Sequence, residues 1–329
     1  MKLHGDKKLF RQAVEFTAQQ MNIPGIYVEK DYWVTYTLHT IFKNPIGKET
    51  IFKGGTSLSK CFGLTERFSE DIDLVVIRRE GESNNQLTNK LKKISNVVSG
   101  VLPEVQIKEV TRKKGMNRKT AHTYTKEFDG DYGQIRDVII VEASWLGYFE
   151  PHTTKNVSSF IYEMMQNNKQ QNLAKENGLL PFEVLVLEPK RTLCEKIMSL
   201  VRFSYTENAM EDLKKKVRHT YDLYQLLKEK ELLDFFQSKE FDEMLIKVAN
   251  DDVVSYKSNN QWLKHHPNKS KLFAELETVW KELQGTYNSD FKNLVFGVFP
   301  NDEKIYKSLV LIKNRLSAIE WTVIIDEKK

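Results

Sequence analysis

Apolar positions recur every three to four residues from about residue 7 to 42, with a break at Asn22-Ile23-Pro24-Gly25, and this predicts two helices. The second, starting near Val28, brings Val34, Leu38 and Ile41 onto one apolar face. Ile51-Phe52-Lys53 leads into Gly54-Gly55-Thr56-Ser57, a short helix-like stretch to Gly63, and then a strand ending at Val76-Ile77. A polar turn over residues 78–85 precedes an amphipathic helix over 87–102, with Leu87, Leu91, Ile94, Val97, Val98 and Val101 grouped along it. Strands are predicted over 105–110, 121–128 and 135–143, the first two separated by a basic stretch. Helices and strands in this order predict an α+β sheet with helices on one face.

After Pro151 the pattern changes. Residues 157–165 fit helix and strand about equally, and 182–187 read as an edge strand ending at Pro189. Beyond it the helical period dominates, over 191–204, 208–230, 232–250, 271–284 and 302–319. The change of character falls between Pro151 and Pro189. Two domains are therefore expected, residues 1–189 and 190–329, and the length suits two of ordinary size.

Composition adds bounds. A hydrophobic fraction of 40% and a charged fraction of 29% fit a core-forming chain rather than a disordered one. The excess of 50 basic over 45 acidic residues is too mild to imply nucleic-acid binding by itself. The two cysteines, Cys61 and Cys194, lie far apart in predicted helices and read as reduced, semi-buried thiols. Met1 to Asp6 lacks the apolar core of a signal peptide, and no apolar run is long enough to cross a bilayer. A cytoplasmic enzyme or regulator with no membrane partner is the expectation.

The chemistry concentrates in one segment. Asp71 and Asp73, one residue apart on a strand, project from the same face about 7 Å apart. They open onto Leu74-Val75-Val76-Ile77, where carboxylates are costly unless paired or bound to metal. This pair fits Mg²⁺, whose usual ligands are carboxylates and nucleotide phosphates. Upstream, Gly54 and Gly55 permit a tight turn, while Thr56 and Ser57 open a helix; backbone N–H groups there can face a triphosphate. Thr56 and Ser57 equally suit helix capping, which is compatible with phosphate binding. Lys60, one turn on, either neutralises phosphate or is solvated. Glu142, near the end of a β-branched strand, would complete a carboxylate triad if that strand lies beside Asp71 and Asp73; otherwise it faces water.

In the helical half the signals are weaker. Lys196 borders the stripe of Leu193, Ile197, Leu200 and Val201, where a lysine is usually a snorkelling surface residue. Asp222 lies one turn after Arg218 among Tyr and Leu, so it is read either as a helix-stabilising pair or as a specific acid. Two basic runs, residues 112–119 and 214–218, read as solvated faces or as a grip on a phosphate backbone.

These residues resemble a known family. Gly54-Gly55-Thr56-Ser57-Leu58-Ser59-Lys60, followed by Arg67-Phe68-Ser69-Glu70-Asp71-Ile72-Asp73-Leu74, is similar to the central motif of the AbiEii/AbiGii nucleotidyltransferase toxins of type IV toxin–antitoxin and abortive-infection (phage-defence) systems, the group that includes the MenT toxins. Glu29-Lys30-Asp31-Tyr32-Trp33 looks like the family's N-terminal element. Glu195-Lys196 and His219-Thr220-Tyr221-Asp222-Leu223 look like its later motifs, with His219 where an Arg or an acid is often seen. Phe299-Pro300 before a terminal helix also looks like the family.

The resemblance implies a DNA-polymerase-β-like nucleotidyltransferase core with an added C-terminal helical domain. It implies Mg²⁺-dependent transfer of a nucleotide from an NTP, in some members to the 3′ end of tRNA, and a cognate antitoxin encoded nearby. Carried over, Gly55 and Ser57 would cradle the triphosphate and Ser69 would line the same site. Asp71 and Asp73 would hold the metal, Lys196 would contact phosphate, and Asp222 would complete the active-site cleft. The competing readings are a catalytically inactive nucleotide- or RNA-binding regulator, and transfer to a protein hydroxyl.

Overall fold

The computed structural model describes residues 1–69, 71–130, 136–257 and 259–325; Glu70 and Ile135, named above, lie outside the described residues. The chain divides into two compact units. The first comprises Met1–Gly63, Arg67–Trp145 and His152–Leu187; the second comprises Leu64–Glu66, Leu146–Pro151 and Glu188–Lys329.

In the first unit the chain runs α1 (Lys7–Met21), α2 (Gly25–Lys43), β1 (Thr50–Lys53), α3 (Gly54–Phe62), β2 (Asp71–Val76) and α4 (Asn84–Ser99). It continues through β3 (Glu104–Val105), β4 (Arg112–Lys114), β5 (Asn117–His122), β6 (Ile139–Ser144), β7 (His152–Val157), α5 (Phe160–Asn167), α6 (Gln171–Glu176) and β8 (Phe182–Leu187). The described residues form an eight-stranded mixed sheet in the order β3-β5-β6-β2-β1-β8-β7, with β4 paired to β5. Alternation along the strands sends Phe52, Ile72, Leu74, Val76, Ile139, Val141, Val184 and Val186 into one apolar core, shared with Val28, Leu38 and Ile41 of α2 and Leu87, Leu91 and Ile94 of α4. The opposite positions of β1, β2, β6 and β5 carry Lys53, Asp71, Asp73, Glu142 and Lys119.

Local chemistry fixes several boundaries. Asp6 accepts a hydrogen bond from Leu9 N at the start of α1, and Asn22 ends it in the left-handed conformation (φ 54°). Ser83 and Gln86 form a reciprocal capping box on α4.

Several predicted elements are corrected. α2 starts at Gly25, right after Pro24, rather than near Val28, and it is buried all round. Residues 105–110 are not a continuous strand: Thr111 Oγ1 donates back to Ile107 O, so the chain turns there. Val105, Ile107 and Val110 still cover Ala121, Val138 and Ile140. The basic stretch is itself a hairpin, β4 against β5, turning at Gly115 (φ +62°), so the following strand ends at His122 rather than near residue 128. β7 was not expected, because His152-Thr153-Thr154-Lys155 is polar on both faces. It takes the sheet edge and places β8 in the interior, between β1 and β7.

The second unit is helical: α7 (Pro189–Phe203), α8 (Ala209–Lys214), α9 (Arg218–Lys228), α10 (Lys230–Gln237), α11 (Lys239–Ser255), α12 (Lys271–Ala274), α13 (Leu276–Thr286) and α14 (Asp302–Ser317). The predicted helix over 208–230 is interrupted between α8 and α9. There the chain tightens through i to i+3 bonds, Lys216 N to Leu213 O and Val217 N to Lys214 O. α7 packs against α9 and α11, and its Leu193, Ile197, Leu200 and Val201 are all buried. Among the described residues no helix is long and apolar enough to cross a membrane.

Candidate active site

β1 ends at Lys53 and the chain enters α3 through Gly54, whose φ of +82° suits glycine alone. A Cβ at Gly54 would collide with Asp73 Oδ2, and one at Gly55 would collide with the guanidinium of Arg67. Gly54 is therefore required by the turn as well as by its close approach to Asp73, whereas at Gly55 a side chain would have to push the Arg67 guanidinium aside. Arg67, itself buried, donates from Nη1 to Phe68 O at 3.2 Å. The sequence reading treated it as part of a motif and missed it as the side chain beneath the turn.

Thr56 and Ser57, at the start of α3, are buried. Thr56 Oγ1 hydrogen-bonds Ser69 Oγ at 2.8 Å and the Asp71 carbonyl oxygen at 2.7 Å. Ser57 Oγ donates to Gly54 O at 2.9 Å. Their hydroxyls thus tie the glycine turn to the strand that bears the carboxylates. Lys60 is drawn elsewhere: its ammonium is 2.6 Å from Asp31 Oδ1 of α2, with both side chains buried, and donates to Ser158 O at 3.0 Å. The geometry makes it a strut between α3 and α2.

The register of the sheet sets the rest. Lys53 pairs with Asp73, Asp73 with Glu142, and Glu142 with Lys119, so four charged side chains stand in a row across β1, β2, β6 and β5. Glu142 Oε1 accepts from Asn117 Nδ2 at 2.7 Å, and Oε2 is 2.9 Å from Lys119 Nζ. The Arg136 guanidinium is 3.9 Å from Asp71 Oδ1. Asp73 is pushed up to about 7, first by burial and then by the charges of Glu142 and Asp71. Burial opposes the charge on Lys119, but Glu142 and Asp71 outweigh it and raise its pKa. Two acids crowded into a half-buried place are relieved by a cation, so Asp71 and Asp73 fit a divalent metal. Among the described residues no group of three or more His, Cys, Asp or Glu side chains is disposed to hold one.

The second unit holds its own pair. Lys196 Nζ of α7 is 2.6 Å from Asp222 Oδ2 of α9, and both residues are buried. The snorkelling surface lysine is excluded here by burial, and the Asp222 partner on α7 was not visible from an i, i+4 pattern. Of the basic runs, Lys113 pairs with Glu104, Arg118 Nε donates to Ser95 Oγ at 2.6 Å, and Lys214 and Lys215 pair with Glu211 and Asp212. Burial raises both cysteine thiols, Cys61 to about 12, which keeps them protonated and unreactive.

A glycine turn closed against two strand carboxylates is the framework of a nucleotidyltransferase. A family model described as nucleotidyl transferase AbiEii toxin, type IV toxin–antitoxin system, matches residues 38–307. The chain belongs to this family. Among solved structures it is similar to MenT4, a nucleotidyltransferase toxin from Mycobacterium tuberculosis H37Rv, at 15% identity and a TM-score of 0.50, covering 91% of this chain and 98% of that one. It is also matched to JHP933 from Helicobacter pylori, at 16% identity and a TM-score of 0.35 over 88% of this chain and 97% of that one. No curated protein matches it. The likeness to MenT4 shows a shared fold, in keeping with the α+β nucleotidyltransferase architecture expected above.

Two predictions follow from the buried charges. Because Asp73 binds its proton more tightly folded than unfolded, its cost to the metal-free protein grows as pH rises from about 4 to about 7, then stays constant. Asp73→Asn should therefore raise the Tm in EDTA at pH 8 and leave it unchanged near pH 4; equal effects at both pH values would refute the assignment. Asp222→Ala removes the carboxylate 2.6 Å from the buried Lys196 ammonium and should cost about 3–5 kcal/mol, whereas Lys196→Met combined with Asp222→Leu should recover most of that. Chemical denaturation of wild type and the two variants measures this.

Proposed function

We propose that this chain is a toxin that transfers a nucleotide from an NTP to an RNA acceptor, the 3′ end of tRNA, in a Mg²⁺-dependent reaction that blocks translation. The carrying observation is the closure of the Gly54-Gly55 turn onto Asp73, with Thr56 bonded to both Ser69 and the Asp71 backbone. Backbone N–H groups at the start of α3 are assigned to the triphosphate, with Gly54, Gly55, Thr56, Ser57 and Ser69 shaping the cradle. Because Ser57 and Thr56 are bonded internally, they serve by holding the turn's shape. Lys60 holds α3 to α2 in the same sense.

Asp71 and Asp73 would hold the cation, which when bound neutralises charge on the transferring phosphoryl group and the departing pyrophosphate. A terminal ribose hydroxyl attacks the α-phosphorus; the new O–P bond forms as the bond to pyrophosphate breaks, and the hydroxyl proton passes to solvent water. On the resemblance to the family, Lys196 is assigned to phosphate charge, and Asp222 to fixing its ammonium. The RNA acceptor rests on the resemblance, supported by the exposed basic tip that includes Arg112. A cytoplasmic location and a cognate antitoxin partner belong to the same reading.

Incubation with each labelled NTP and a tRNA pool, followed by electrophoresis, tests it. One NTP should label tRNA with Mg²⁺ and not in EDTA. Asp71→Ala and Asp73→Ala should each lose at least about 100-fold, the worth of several kcal/mol of charge stabilisation. Label appearing only in a protein acceptor would replace RNA as the target. Full activity in Asp73→Ala would end the proposal.

A further inference from the structure

The sheet arranges the charged residues around the carboxylates as a set. Across four neighbouring strands the order is Lys53, Asp73, Glu142, Lys119, with two acids bracketed by two bases. The third acid is occupied: Asn117 and Lys119, two residues apart on one face of β5, take one oxygen of Glu142 each, at 2.7 and 2.9 Å. A carboxylate held at both oxygens by fixed donors is a poor metal ligand, because a cation must displace an ammonium to reach it. The pairing of β5 with β6 along its whole length fixes the Lys119 backbone directly opposite Glu142.

We infer that Glu142 seats Lys119 rather than a metal, so that the site loads one divalent cation per chain on Asp71 and Asp73, with the Lys119 ammonium as the fixed second positive charge. This rests on the assignment of Asp71 and Asp73 as the metal-holding pair. It makes Glu142 a positioning residue and adds Lys119, which the sequence presented only as the end of a basic run. The arrangement also explains why two further acids beside Asp73 do not amount to a three-carboxylate metal group among the described residues. An ammonium on a strand is set in place by folding, whereas a second cation would have to be bound from solution. The site's positive charge would thus depend less on cation concentration.

Titration of the full chain with Mn²⁺, followed by electron paramagnetic resonance of the free ion, tests this apart from activity. Wild type should bind one Mn²⁺. Glu142→Gln should leave both number and affinity within about twofold. Lys119→Met, by releasing Glu142, should tighten binding about tenfold or add a second Mn²⁺, in the range that outer partners of metal ligands contribute. Two Mn²⁺ on wild type, a loss of tenfold or more in Glu142→Gln, or unchanged binding in Lys119→Met would each overturn it. Absence of any bound Mn²⁺ on wild type would instead sink the Asp71–Asp73 assignment, and this inference with it. Circular dichroism of each variant confirms that it is folded.

Discussion

Three consecutive charged side chains lie buried in the middle of α2, and the first unit is organised by the need to satisfy them. Each is costly to bury alone, so each recruits a different segment. Glu29 accepts from the backbone N–H groups of Glu127 and Phe128 at 2.8 and 3.3 Å. Lys30 donates to the carbonyls of Arg136 and Val138, just ahead of β6. Asp31 takes Lys60 of α3 and, through its other oxygen, the N–H of Phe160 at the start of α5, at 2.8 Å. A single helix turn thereby anchors the helix behind the glycine turn, the strand carrying Glu142, and the flank of the sheet. Burial dominates Glu29 enough to push it up to about 7 despite its two backbone donors.

Seen this way, the carboxylate row is a product of long-range fastening rather than of its own strand. β2 needs only its alternating pattern to place Asp71 and Asp73 on one face. What brings Glu142 level with Asp73 is the parallel register of β6, and that register is held from below by Lys30. The second unit uses the same device on a smaller scale. Arg191, buried in α7, is satisfied by Glu195, Asp251 and the carbonyl of Glu150.

The carboxylate pair and the glycine turn were legible because both are local: a period of two running into a β-branched stretch, and two glycines before a capping hydroxyl. The family motif made the overall class legible too. Lys60 was not, since nothing near residue 60 announces a partner in α2. Lys119 was hidden inside a basic run whose members point to opposite faces once the run becomes a hairpin. The short stretches Leu64–Glu66 and Leu146–Pro151 group with the helical unit through contacts such as Phe296 N to Glu66 O and Gly147 N to Ser255 Oγ, which no local pattern encodes. β8 has a strand's composition, but its neighbours depend on β7, whose polar sequence masks it.

The interior position of β8 bears on how the molecule comes into being. β1, which delivers the glycine turn, has β2 on one side and β8 on the other. A nascent chain that has not yet emerged past Leu187 leaves one edge of β1 with open backbone donors and acceptors, the kind of edge that templates aggregation. Closing the sheet there waits for a strand made after all the others, a non-local step that slows folding. The segment that shapes the turn is thus completed late, once nearly the whole first unit is in hand.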